Sequence, residues 1–138
     1  MSKQTEVKIG ALRVPASAAI IALTGTTAQG RAANWDAAAG TIELCIVDEF
    51  PEFIIDDVHD DDTATVIPFT SERNFRVQLD AALTAALGLG DYIKVDDGGA
   101  GKFDSGGAAA DVNVGRVEEA AAAGGLALVR PLKSTVTT

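Results

Sequence analysis

Cysteine, histidine, tryptophan and tyrosine occur once each among the 138 residues, and aromatic side chains together make up only 5%. One cysteine, Cys45, excludes an intrachain disulfide and a cysteine-rich zinc site, and it fits a chain made in a reducing interior. One histidine, His59, set in a row of carboxylates, leaves a serine or cysteine triad without a base. No run of lysine or arginine is present, and 20 acidic residues against 11 basic ones give a net charge of −9. Affinity for phosphate backbones comes from cations that neutralise them, so no nucleic acid is expected as a partner, nor an anionic membrane surface. The longest unbroken apolar stretch, Ala18 to Leu23, is far too short for a bilayer span, and the N-terminus lacks the layout of a signal peptide.

What is present is enough to fold. Valine, isoleucine, leucine and phenylalanine account for 36 residues, about a quarter of the chain, above the level at which a sequence stays disordered for want of a core. The 25 alanines bury little area each, however, so the core is thin and surface shared with a partner contributes to stability. The length fits one domain, expected at residues 16–138, behind an extended N-terminal arm at residues 1–15.

Strict alternation over Asn74 to Asp80 puts Phe75, Val77 and Leu79 on one face and polar side chains on the other, the mark of a half-buried strand. The same period recurs at Thr41 to Val47 and Tyr92 to Asp96. Further strands are expected at Glu6 to Ile9, Ser17 to Leu23, Ala64 to Phe69, Asp111 to Val117 and Leu126 to Leu132. Between them lie turn signals such as Thr24-Gly25, Asp97-Gly98-Gly99, Ser105-Gly106-Gly107 and Gly124-Gly125. Many short strands with glycine turns predict a mainly β fold, a small β-barrel or β-sandwich with one or two short helices. The helices expected are Asp80 to Gly88 or Gly90, with Asp80 as N-cap, and, as helix or ordered loop, the alanine-rich Ala28 to Gly40 around Trp35. No internal repeat stands out.

Two stretches invite chemistry. Asp56-Asp57-Val58-His59-Asp60-Asp61-Asp62 clusters carboxylates as a calcium site would, but lacks the glycine turn and terminal glutamate of a calcium loop, so a solvated acidic loop is the simpler reading. Asp96-Asp97-Gly98-Gly99-Ala100-Gly101-Lys102 suggests a phosphate loop, yet it lacks the first glycine and carries Phe103 after the lysine, where Ser or Thr is required. A glycine-rich hairpin replaces it. Cys45 reads as a small buried thiol, Glu118-Glu119 lies beside alanines rather than the aromatics of a sugar site, and no Gly-x-Ser-x-Gly elbow exists. No catalytic residue, cofactor or metal is expected.

From Gly90-Asp91-Tyr92-Ile93-Lys94-Val95-Asp96, through Gly101-Lys102-Phe103 and Val114-Gly115-Arg116-Val117-Glu118-Glu119-Ala120, to Gly124-Gly125-Leu126-Ala127-Leu128-Val129-Arg130, the chain resembles the head-decoration, or capsid cement, proteins of tailed bacteriophages. The resemblance implies a non-enzymatic virion protein made in the bacterial host, bound to the outer capsid surface, bridging major capsid protein subunits and self-associating as a homotrimer. It also implies that an N-terminal arm adds to the capsid lattice. Here that arm is Ser2 to Val14, with Val7, Ile9, Leu12 and Val14 as its apolar contacts. The acidic charge fits the outer face, since packaged genome repels it. The alternatives are another head-completion or tail component, and a small carbohydrate- or metal-binding module using the acidic loop.

Overall fold

The computed structural model describes residues 11–23, 27–47, 49–96, 98, 100–107 and 111–136, with the side chains of 133–136 excepted. Eleven elements follow in order: β1 (Leu12–Pro15), α1 (Ala18–Ile21), β2 (Ala32–Asp36), β3 (Thr41–Leu44), β4 (Phe53–Val58), β5 (Thr63–Pro68), β6 (Phe75–Gln78), β7 (Tyr92–Val95), β8 (Phe103–Ser105), β9 (Asn113–Glu119) and β10 (Leu126–Val136). Strands β1 to β5 form one antiparallel sheet, in the order β1-β5-β4-β2-β3, and β6 to β10 a second, in the order β6-β10-β9-β7-β8. The chain is mainly β, and the two open sheets pack as a β-sandwich.

Alternation explains most of the strands. In β6 and β7 the inward residues Phe75, Val77, Ile93 and Val95 are buried, and with Phe103, Val117, Ala127 and Val129 they line the inner face of the second sheet. Ala32, Ile54 and Ile67 of the first sheet join the same cluster, so it is the shared core between the layers. The other face of the first sheet carries a second cluster, in which Val14, Ala33, Ile42, Ile55, Ala64 and Val66 close around Ile20 of α1. The first sheet is therefore buried on both faces. This is why β4 runs Phe53-Ile54-Ile55 without a polar break, since a strand between two cores has no solvent face to alternate with.

Four sequence expectations change. Ser17 to Leu23 is not a strand: it contains the single turn α1, with Ile20 fully buried. A one-turn helix is unstable alone, and burial of Ile20, worth roughly 1.5–3 kcal/mol, overrides the β-preference of the paired isoleucines. Asp80 to Gly88 is not a helix. Leu79 bridges Phe103, the Asp80 amide bonds the Phe103 carbonyl, and Asp104 accepts hydrogen bonds from the Thr84 amide and hydroxyl at 2.9 and 2.7 Å. These tertiary bonds replace those an isolated short helix would have to make for itself. Trp35 lies on β2, and Asp56 to Val58 on β4 rather than in a loop. The strand expected at Glu6 to Ile9 lies outside the described residues.

The two sheets repeat one topology. The order β1-β5-β4-β2-β3 becomes β6-β10-β9-β7-β8 when each number is raised by five. The register repeats as well: Ile55 pairs Val66 and Asp57 pairs Thr65, skipping Asp56, while Val117 pairs Val129 and Glu119 pairs Leu128, skipping Glu118. In each half a parallel bridge joins the end of the first strand to the third, Ala16 to Ile42 and Leu79 to Phe103. Matched backbone bonds follow. Gly30 N–H donates to Ile55 O as Gly90 N–H does to Val117 O, and Ile55 N–H donates to Arg31 O as Val117 N–H does to Asp91 O. Gly30 and Gly90 both have φ of +84°. The chain is a tandem pair of five-stranded units.

Candidate interaction surfaces

Residue 11 enters the fold at β1, an edge strand of the first sheet that pairs β5 over Leu12 to Pro15. Of the four predicted contact residues, Val7 and Ile9 lie outside the described residues. Leu12 is 45% exposed, whereas Val14 is 8% exposed and packs into the core around α1. Leu12 therefore faces outward while Val14 serves the protein's own core. Between them, Arg13 reaches across β5 to the Thr63 hydroxyl at 2.9 Å and to Asp61 at 2.8 Å. That bond and the Thr63 hydroxyl hold the Asp61 carboxyl below its ordinary range, Thr63 contributing most.

The acidic stretch is a hairpin. Asp57 and Val58 finish β4, the His59 amide bonds the Thr63 carbonyl, and Asp62 takes a left-handed φ of +64° before β5 begins. The His59 ring meets the Thr65 hydroxyl at 2.7 Å instead of turning toward the carboxylates. Among the described residues, no group of three His, Cys, Asp or Glu side chains is placed to hold a metal ion. Cys45 is fully buried just after β3, and burial pushes its thiol well above the ordinary range, which keeps the nucleophilic thiolate unpopulated.

The glycine-rich β7–β8 turn is a structural plug. Gly101, with φ of +69°, inserts its peptide between two strands of the other half: the Ala32 amide donates to Gly101 O at 2.7 Å, and the Gly101 amide donates to Cys45 O at 3.2 Å. A Cβ there would stand 2.5 Å from the Ala32 carbonyl oxygen, so only glycine fits. Arg31 holds the same turn, donating to the Ala100 carbonyl at 3.1 Å. A second seam lies at Gly30, whose carbonyl accepts from the Gln78 amide of β6. The counterpart of the plug in the first half is the β2–β3 turn. Gly40, with φ of +71°, is exposed there, and no described atom beyond its chain neighbours lies within 4 Å of where its Cβ would be.

Beside that turn lies a groove of about 350 Å³ lined by Trp35, Asp36, Glu43, Leu44, Ile46 and Glu49. Trp35 rests edge-on against Phe53 with ring centres 6.0 Å apart and stays 43% exposed. Its amide, past the end of the β2–β4 pairing, donates to Glu52. Asp36 and Glu43 share a hydrogen bond, which raises the Glu43 carboxyl and lowers that of Asp36. The second half has its own recess, of about 420 Å³, bordered by Ala85, Ala86, Tyr92, Ser105, Gly106 and Gly107.

The repeat was the feature hidden from sequence reading, yet traces exist once the register is known. Arg13-Val14 answers Arg76-Val77, Ala39-Gly40 answers Ala100-Gly101, and Ala64-x-Val66-x-Pro68 answers Ala127-x-Val129-x-Pro131. No family model and no curated protein matches the chain.

Proposed function

We propose that this chain is a structural virion protein that binds the outer surface of an assembled phage capsid and stabilises it by bridging major capsid protein subunits. The observation that carries the proposal is the Gly90–Arg130 resemblance, which coincides with four neighbouring strands of one sheet, β7 to β10. The resembling residues thus form one structural unit. Two further features support it. The arm leads into an edge strand, and strand edges are where a partner's backbone adds most readily. The net charge of −9 favours the side of a shell that faces away from packaged genome.

Cryo-electron microscopy of purified heads incubated with the recombinant protein tests the proposal. Density on the outer shell at threefold or quasi-threefold positions is the expected result. Bare heads at saturating protein would reject it. Deleting residues 1–10 is expected to abolish binding while leaving the circular dichroism spectrum of the fold intact.

A further inference from the structure

The plug contact between the two halves is used once among the described residues, yet both of its sides are present twice. Its plug is Ala100-Gly101, and its socket is the pair formed by the Ala32 amide and the Cys45 carbonyl. By the repeat, the register places Ala39-Gly40 where the plug is and Tyr92 with Gly106 where the socket is. The counterparts match in detail. Gly40 and Gly101 have φ of +71° and +69°. The Gly106 amide bonds the Tyr92 carbonyl at 2.9 Å, as the Cys45 amide bonds that of Ala32 at 3.0 Å. In the first half the socket is filled by Gly101; in the second the same place is the open recess bordered by Tyr92, Ser105 and Gly106.

We propose that copies of this chain associate head to tail, the exposed Ala39-Gly40 turn of one entering the Tyr92–Gly106 recess of the next. The intramolecular seam is then repeated between molecules. Charges of both signs meet at the pairing, since Asp91 also lines the recess. Asp36 and Glu43 flank the turn, and the exposed Arg116 stands at the rim of the recess, its guanidinium 5.2 Å over the Tyr92 ring and its Nε donating to Gly90 O. The contact differs from its template in charge: Asp91 stands where Arg31 grips the plug, and the cation beside the recess is Arg116, over Tyr92. A contact between two different surfaces is heterologous, and it closes into a ring or runs on as a filament. Nothing in it depends on the capsid reading, since the isolated chain in solution is sufficient to show it.

Light scattering of the purified full chain is expected to give a whole-number multiple of the monomer mass. Gly40→Ala places a methyl group where no described atom of the free chain interferes, but where the recess wall would meet it, as Ala32 O would at Gly101. Ala86→Trp fills the recess from an exposed position, and Ala85→Arg serves in its place if that variant unfolds. Each variant alone, shown to be folded by circular dichroism, is expected to be monomeric. Mixed together, they are expected to form a one-to-one dimer, because one keeps an intact recess and the other an intact turn. A monomeric wild type, association that survives either substitution, or a mixture that stays monomeric would overturn the proposal. Capsid binding measured in parallel is a separate readout, and its loss or retention bears only on the virion reading.

Discussion

Gly40 and Gly101 have the same backbone conformation and opposite surroundings, which makes them a matched pair for separating backbone strain from packing. Alanine at Gly40 carries only the left-handed cost, about 1–2 kcal/mol. At Gly101 the methyl group also meets the Ala32 carbonyl, and the added overpacking brings the loss to about 3 kcal/mol or more. Urea unfolding of both variants, with the association equilibrium held fixed by dilution, is expected to show the second midpoint well below the first. At Cys45 the prediction is kinetic: the thiol should resist a disulfide reagent at neutral pH in the folded chain and react at once in denaturant.

The Asp36–Glu43 pair has an expected pH signature. Asp36 is lowered in the folded chain, so its contribution is present above its unfolded pKa and fades as pH falls through the folded value. Glu43 is raised, so its contribution is present below its unfolded pKa and fades as pH rises through the folded one. Carboxyl carbon NMR titration is expected to find Glu43 titrating above an ordinary glutamate and Asp36 below an ordinary aspartate. Asp36→Asn should remove the shared proton's partner and return Glu43 toward its usual range. Both side chains are open to solvent, so the effect is to be read in the titration rather than in thermal stability.

At the scale of elements, alternation made the strands with one wet face legible: β6 and β7 could be read from Phe75, Val77, Ile93 and Val95 alone. It missed β4, because Phe53, Ile54 and Ile55 serve two cores, and it misread α1, because two isoleucines favour a strand until Ile20 has a pocket to fill. The absent helix after Asp80 has the same origin, since nothing local announces that Thr84 will bond Asp104. Of the candidate surface, the glycine-rich hairpin that holds Gly101 was legible as a turn, whereas Gly40 reads as the end of a helix or ordered loop. Their roles as plug and free counterpart were not legible, since these depend on which half each meets. Ile20→Ala tests the helix as a packing element: a loss of about 2–5 kcal/mol is expected in chemical denaturation. A loss below 1 kcal/mol would mean that α1 is not what closes the second core.

At the scale of the molecule, the two sheets share one apolar cluster and are sewn together by backbone bonds at Gly30 and Gly101, so neither opens without breaking the other's contacts. Unfolding followed by the emission of Trp35, which lies in the first half, is expected to coincide with that followed by amide exchange in β7 to β10. Each half also places its last strand between its first and its fourth, β5 between β1 and β4, and β10 between β6 and β9. The ribosome supplies the strands in numerical order. The first sheet can be complete as soon as residue 68 has emerged, while the second must hold a gap between β6 and β9 until residues 126–136 have emerged. During that interval Ala32, Ile54 and Ile67 have no second layer to cover them, and the place that Gly101 will fill is vacant until the β7–β8 turn arrives. A polysome carries several such chains side by side, so the turn that first reaches a vacant seat can belong to a neighbour, and synthesis itself becomes a stage at which halves can be exchanged between copies.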